Sequence, residues 1–168
     1  MTGADFWIPE ESSGEIVAVD QLESAVVRTG LARWRALCGA ARFAPTTGGV
    51  TAAVADNAFL VDVLENDYRY RGVGAALVQG FDEDFSGLLL SELAARRPRF
   101  GLGLRMLYDM VRTSGEPMGY RGWVGKDMPG ARFTYHENVI LPFGSGGAVA
   151  QLMVVSALVA RQAMPARP

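Results

Sequence analysis

A chain of 168 residues with 49% hydrophobic and 20% charged residues holds enough apolar material for one globular core, which excludes a disordered chain. A formal net charge of −2 gives no general attraction for nucleic acid or an anionic membrane. The single cysteine, Cys38, excludes an internal disulfide and any metal site built from cysteines, and a reducing cytoplasm is the compartment it suits.

In chain order, residues 1–19 are mixed and rich in Gly, Ser and Glu, and read as a flexible leader without the basic and apolar stretches of a signal peptide. Residues 20–57 read as N-terminal helices. Asp20 as N-cap with Glu23 three residues on has the capping-box spacing, Val27, Leu31, Trp34 and Cys38 recur at helical spacing, and Gly39 supplies a stop. After Pro45, Thr46 or Thr47 caps a short helix over 50–55. Residues 58–160 read as the main α+β domain. It opens with a hairpin, 59–64 and 68–74, joined across Glu65-Asn66-Asp67. A loop over 80–87 and a short helical piece over 88–95 follow. Pro98 then opens a longer helix with a Phe100, Leu104, Leu107 and Val111 stripe, Met106 and Met110 beside it, and a stop at Gly115. A third strand is expected over 117–126 and a turn at Asp127-Met128-Pro129-Gly130. The last two strands, 133–143 and 148–157, are joined by Gly144-Ser145-Gly146-Gly147. Residues 161–168 read as a tail. The apolar stretch 148–160 is shorter than the roughly 20 residues of a membrane-spanning helix.

Several segments in this order carry a resemblance. They are Trp34 and Leu37, Arg42 and Pro45, Leu60 to Val63, Tyr68-Arg69-Tyr70-Arg71-Gly72-Val73-Gly74, Phe81-Asp82-Glu83-Asp84-Phe85-Ser86-Gly87, Leu90 and Leu93, and Leu141-Pro142-Phe143 before the Gly-rich hairpin. Over roughly 34–159 the chain resembles the PAS-like proteins common in alphaproteobacteria, in which one PAS domain is nearly the whole chain. The resemblance implies a five-stranded antiparallel sheet with helices on one face, here with an N-terminal helical extension. It also implies sensing or protein interaction, and supplies neither catalytic residues nor a fixed cofactor. Ala44 and Thr46 around Pro45, and Gly-Ser-Gly-Gly in the last hairpin, depart from the family's habit of more polar residues there.

Few residues carry candidate chemistry. His136 is the lone histidine; it alternates with the more apolar Phe133 and Tyr135 and is expected on the outer face or a sheet edge, so haem is not expected, and flavin is not expected because Cys38, which could form a flavin adduct, lies on the leading helix away from the expected cavity. Cys38 reads as a buried inert thiol. The consecutive acids Asp82, Glu83 and Asp84 do not converge as calcium ligands do, and Asp84 reads as a helix cap; no metal is expected. In Tyr68-Arg69-Tyr70-Arg71 the tyrosines face in and the arginines out, which argues against nucleic-acid binding. Arg96, Arg97, Arg99, Arg105 and Arg112 read as a solvated face.

The favoured expectation is a cytoplasmic sensory module without catalysis. A small apolar ligand would be lined by Tyr70, Leu104, Met106, Leu107, Tyr120, Tyr135 and Gln151. Output would pass to a second copy or a signalling partner through the helix bearing Val27, Leu31, Trp34 and Cys38, whose stripe either covers the outer sheet face or pairs with that copy. One alternative is a constitutive interaction module whose methionines and aromatics fill the core. Another is a small enzyme using a cone-shaped cavity with Glu137 as its base.

Overall fold

The computed structural model describes residues 8–160, except for the side chains of residues 98–100. The expected tail, residues 1–7 of the expected leader, and the Phe100 and Arg99 side chains lie outside the described residues. The chain forms an α+β fold around a six-stranded antiparallel sheet in the order β1-β4-β5-β6-β2-β3. The strands are β1 (Ser13–Val17), β2 (Ala58–Val63), β3 (Tyr68–Arg71), β4 (Met118–Trp123), β5 (Phe133–Ser145) and β6 (Ala148–Ala160). The helices are α1 (Ala25–Cys38), α2 (Gly48–Val54), α3 (Ala75–Phe81), α4 (Leu90–Arg96) and α5 (Pro98–Ser114).

Two hairpins frame the sheet. Leu64 N–H donates to the Asp67 carbonyl (2.9 Å) to close β2–β3. Tyr68 and Tyr70 are buried while Arg69 and Arg71 are exposed, as the alternation predicts. The β5–β6 hairpin turns through Gly146 (φ 64°) and Gly147 (φ 80°) between the paired Ser145 and Ala148. Two successive positive φ angles are what a tight hairpin turn requires and what glycine supplies without steric cost.

Several features depart from the sequence reading. The sheet has six strands, not five, because Ser13–Val17 of the expected leader pairs with β4, Ile16 opposite Tyr120. Four of its five residues are exposed, so no apolar alternation marks it. The helix expected to begin at Asp20 begins at Ala25, after a 3₁₀ turn over Val19–Gln21. Helix α3, with Gly74 as its N-cap and Asp82 in the left-handed conformation at its C-cap, lies between the strand expected over 68–74 and the loop expected over 80–87 and takes in the first two residues of that loop.

Helices cover both faces of the sheet, not one. On the outer face Val27, Leu31 and Trp34 of α1 and Val50 and Val54 of α2 pack on Val139, Leu141, Phe143, Met153 and Val155. Trp34 Nε1 donates to the Pro142 carbonyl (2.7 Å). A Cβ on Gly30 would lie 2.9 Å from Val155 Cγ2, so the residue that weakens α1 as a helix lets it approach the sheet. The stripe expected to serve as an interaction helix is thus spent inside the fold: Val27, Leu31 and Trp34 are buried and Cys38 is half-buried. Burial raises the Cys38 thiol pKa, as expected of an inert thiol. On the other face Leu77, Leu90, Leu93, Leu107, Tyr108 and Val111 of α3, α4 and α5 pack on Phe59, Val61, Tyr68, Tyr70, Ile140, Leu152 and Val154. No helix among the described residues is long and apolar enough to cross a membrane.

Candidate functional site

The second face does not close completely. A cavity of about 800 Å³ lies between the sheet at β4, β5 and β6 and the helices α4 and α5, with β1 along one side. It falls within the range of roughly 300–1,000 Å³ usual for small-molecule pockets. Its walls are mostly apolar. Leu104 and Leu107 of α5, Leu93 of α4, and Ile140, Val154 and Leu158 of the sheet contribute aliphatic surface. Edge-to-face aromatic pairs form one side: Tyr70–Phe85 (centroids 5.0 Å), Phe81–Phe85 (5.6 Å) and Phe81–Phe133 (5.0 Å). Such pairs contribute about 0.5–1.5 kcal/mol each beyond burial, which makes this wall stiff.

Polar groups enter in two places. The Tyr70 and Tyr108 hydroxyls are 3.1 Å apart and buried, and burial raises both pKa values, so both phenols stay neutral. The sheet side carries His136, Asn138 and Ser156. Ser156 Oγ donates to Asn138 Oδ1 (2.5 Å), and Asn138 Nδ2 lies 2.6 Å from His136 Nδ1 and donates to the Tyr120 carbonyl (3.3 Å). The His136 ring lies beside Tyr120 (5.7 Å) and Phe133 (6.0 Å). Burial away from water disfavours the imidazolium and lowers the His136 pKa to about 4. Tyr120 extends over Gly14 of β1, where a Cβ would meet its hydroxyl at 1.8 Å, so β1 contributes the space that this side chain occupies.

Of the expected lining, Tyr70, Leu104, Met106, Leu107 and Tyr120 line the cavity, Met106 while remaining 58% exposed. Tyr135 and Gln151 do not. Tyr135 lies on the outer face against Trp123 (4.8 Å), and Gln151 Nε2 donates to Asp62 Oδ1 (2.8 Å). His136 reverses the expectation in the other sense, since it faces the cavity. The cause is a β-bulge: Phe133 pairs with Ala160 and Tyr135 with Val159, two steps on β5 against one on β6. The extra residue breaks period two, so Phe133 and His136 share a face although three residues apart. The sequence reading also missed Asn138 and Ser156. Their signal was a lone serine in the alternation Leu152, Val154, Ser156, Leu158 of an otherwise apolar strand.

Glu137 is buried but on the face opposite the cavity. Its Oε1 accepts the backbone N–H groups of Glu23 (2.9 Å) and Ser24 (2.7 Å) where α1 begins. A carboxylate there satisfies orphan donors and complements the helix dipole, a structural role that removes the base an enzyme reading requires. Asp84 is not a helix cap: its Oδ1 accepts Ser86 N–H (2.9 Å), whereas Glu92 caps α4 by accepting Leu89 N–H (2.8 Å). Glu83 pairs with Arg96 (3.0 Å) and Arg97 (3.8 Å) at the cavity rim, and Arg105 with Asp67 (3.3 Å). Among the described residues no group of three or more His, Cys, Asp or Glu side chains converges as metal ligands would. Compared with family models, curated proteins and solved structures, the chain matches none of them.

Proposed function

We propose that this chain is a PAS-like sensory or regulatory module of the cytoplasm, which holds a small, mostly apolar ligand without transforming it. The observation that carries the reading is the apolar cavity of about 800 Å³ between the sheet and α5. The order of two strands, a helical middle and three strands after β1 supports the family resemblance. A filled-core interaction module fits less well, because the cavity stays open although Met106 and Met128 line it.

Signal output to a second copy or a signalling partner then runs through α5. Its Leu104, Leu107 and Tyr108 line the cavity, while Leu102 and Met110, with the half-lining Met106 between them, recur every four residues on its exposed side. A ligand that fits better under one placement of α5 shifts the population toward that placement. The test is native mass spectrometry of freshly purified, untagged protein with an absorption spectrum, followed by titration with the neutral dye Nile red. A co-purified small molecule released on denaturation, or saturable dye binding displaced by apolar compounds, is expected. Absence of both overturns the reading.

A further inference from the structure

We propose that His136, Asn138 and Ser156 form a built recognition point for one uncharged hydrogen-bond acceptor, so that the ligand is an apolar molecule with a carbonyl or ether oxygen at its buried end. The inference rests on the ligand-binding reading above and goes on to name the ligand's chemistry.

Proton positions follow from connectivity. The Tyr120 carbonyl can only accept, so the Asn138 nitrogen must face it. The Asn138 oxygen is then the atom that accepts from Ser156 Oγ. The same Asn138 nitrogen meets His136 Nδ1 at 2.6 Å, and since it can only donate, Nδ1 carries no proton. A neutral imidazole with bare Nδ1 holds its proton on Nε2. That N–H has no hydrogen-bonding partner among the described residues, and the ring lines the cavity. His136 is half-buried, and a fixed N–H that faces a mostly apolar cavity without a protein partner is a site for an acceptor.

Charge complementarity is set by the same residues. Burial keeps His136 neutral near pH 7, and among the described residues no Asp, Glu, Lys or Arg shares the cavity wall next to it, since Glu137 turns to the opposite face. The charged members of the lining sit at the rim and are already engaged: Arg96 with Glu83 (3.0 Å) and Asp127 with Ser12 (2.7 Å). A carboxylate at the floor would lie in an apolar site without a counter-ion, and an ammonium would face the Nε2–H donor and likewise lack a charged partner.

The test uses four matched probes on untagged protein: butylbenzene, butyrophenone, 4-phenylbutyrate and 4-phenylbutylammonium. Nile red displacement at pH 7.5 is expected to rank butyrophenone about three- to tenfold tighter than butylbenzene, the worth of one net hydrogen bond. Both ions are expected to bind at least about tenfold more weakly than the ketone. His136 is the only histidine, so nitrogen NMR of the wild-type protein reads its tautomer without assignment. Protonated Nε2 is expected, and butyrophenone but not butylbenzene should shift the Nε2–H signal. His136→Phe should bind both neutral probes equally. A protonated Nδ1, a hydrocarbon bound as tightly as the ketone, an ion bound more tightly than either, or a ketone preference kept by H136F each overturns the inference while leaving the cavity a ligand site. Failure of all four probes, with no Nile red binding, overturns the ligand-binding reading itself.

Discussion

Acidification should destabilise this protein through one side chain. His136 has an ordinary pKa of 6.5 when exposed and about 4 when folded, because burial disfavours the imidazolium. The unfolded chain therefore binds a proton that the folded chain refuses between these two values, and stability falls as pH drops through that window. Above about pH 6.5 both states are neutral and the contribution is complete. At 1.36 kcal/mol per pH unit the limiting loss below pH 4 is about 3.4 kcal/mol, with about 1.4 kcal/mol lost by pH 5.5 and about 2.5 kcal/mol by pH 4.5. Against a typical domain stability of about 5–15 kcal/mol this is a large fraction. Other groups titrate over the same range, so the quantity to measure is a difference. Urea unfolding of wild type and His136→Gln at pH 7.5, 5.5 and 4.5 isolates it, because glutamine is neutral throughout. The wild type should lose about 2.5 kcal/mol more than H136Q between pH 7.5 and 4.5. Parallel losses would mean that the imidazole is hydrated in the folded protein and that the argument from burial is wrong.

Three other perturbations probe the two faces separately. Glu137→Ala leaves two N–H groups at the start of α1 without their acceptor and should cost about 2–4 kcal/mol in urea unfolding, with Glu137→Gln milder and Nile red binding by either folded variant unchanged. Trp34→Ala should cost about 3–5 kcal/mol in the same measurement, and light scattering should show the same particle size, because Trp34 packs on its own sheet. Leu104→Trp places a larger side chain on the cavity wall and should weaken Nile red binding at least about tenfold while changing stability by less than about 1.5 kcal/mol, since it fills space rather than overpacking a closed core.

What was readable in the chain follows from how locally each feature is encoded. The two hairpins were legible because glycine and Asp/Asn turns sit between alternating residues, and α5 because Pro98 opens it and Gly115 (φ 67°) closes it. The leading stripe of Val27, Leu31 and Trp34 was legible as an apolar face, although its cover, the outer face of its own sheet, was one of two options. Strand β1 was not legible: its exposed residues are held by β4, more than a hundred positions later. Nor was the floor of the cavity, because one bulge in β5 reverses which alternate residues face inward. Period two names two sets of side chains, and packing decides which set is inside.

The β2–β6 pairing has a consequence for how the chain is made. Asp62 opposite Gln151 is the least separated pair in that ladder, so about 90 residues must be synthesised after β2 before its partner exists. At about 5–20 residues per second the delay is roughly 5–20 s, while a lone β2–β3 hairpin is only marginally stable in water. The apolar edge through Leu60 and Val61 stays open throughout, and the middle of the sheet forms last. Folding should therefore be slow and close to all-or-none, with a nascent chain that depends on chaperones until its final strand is released.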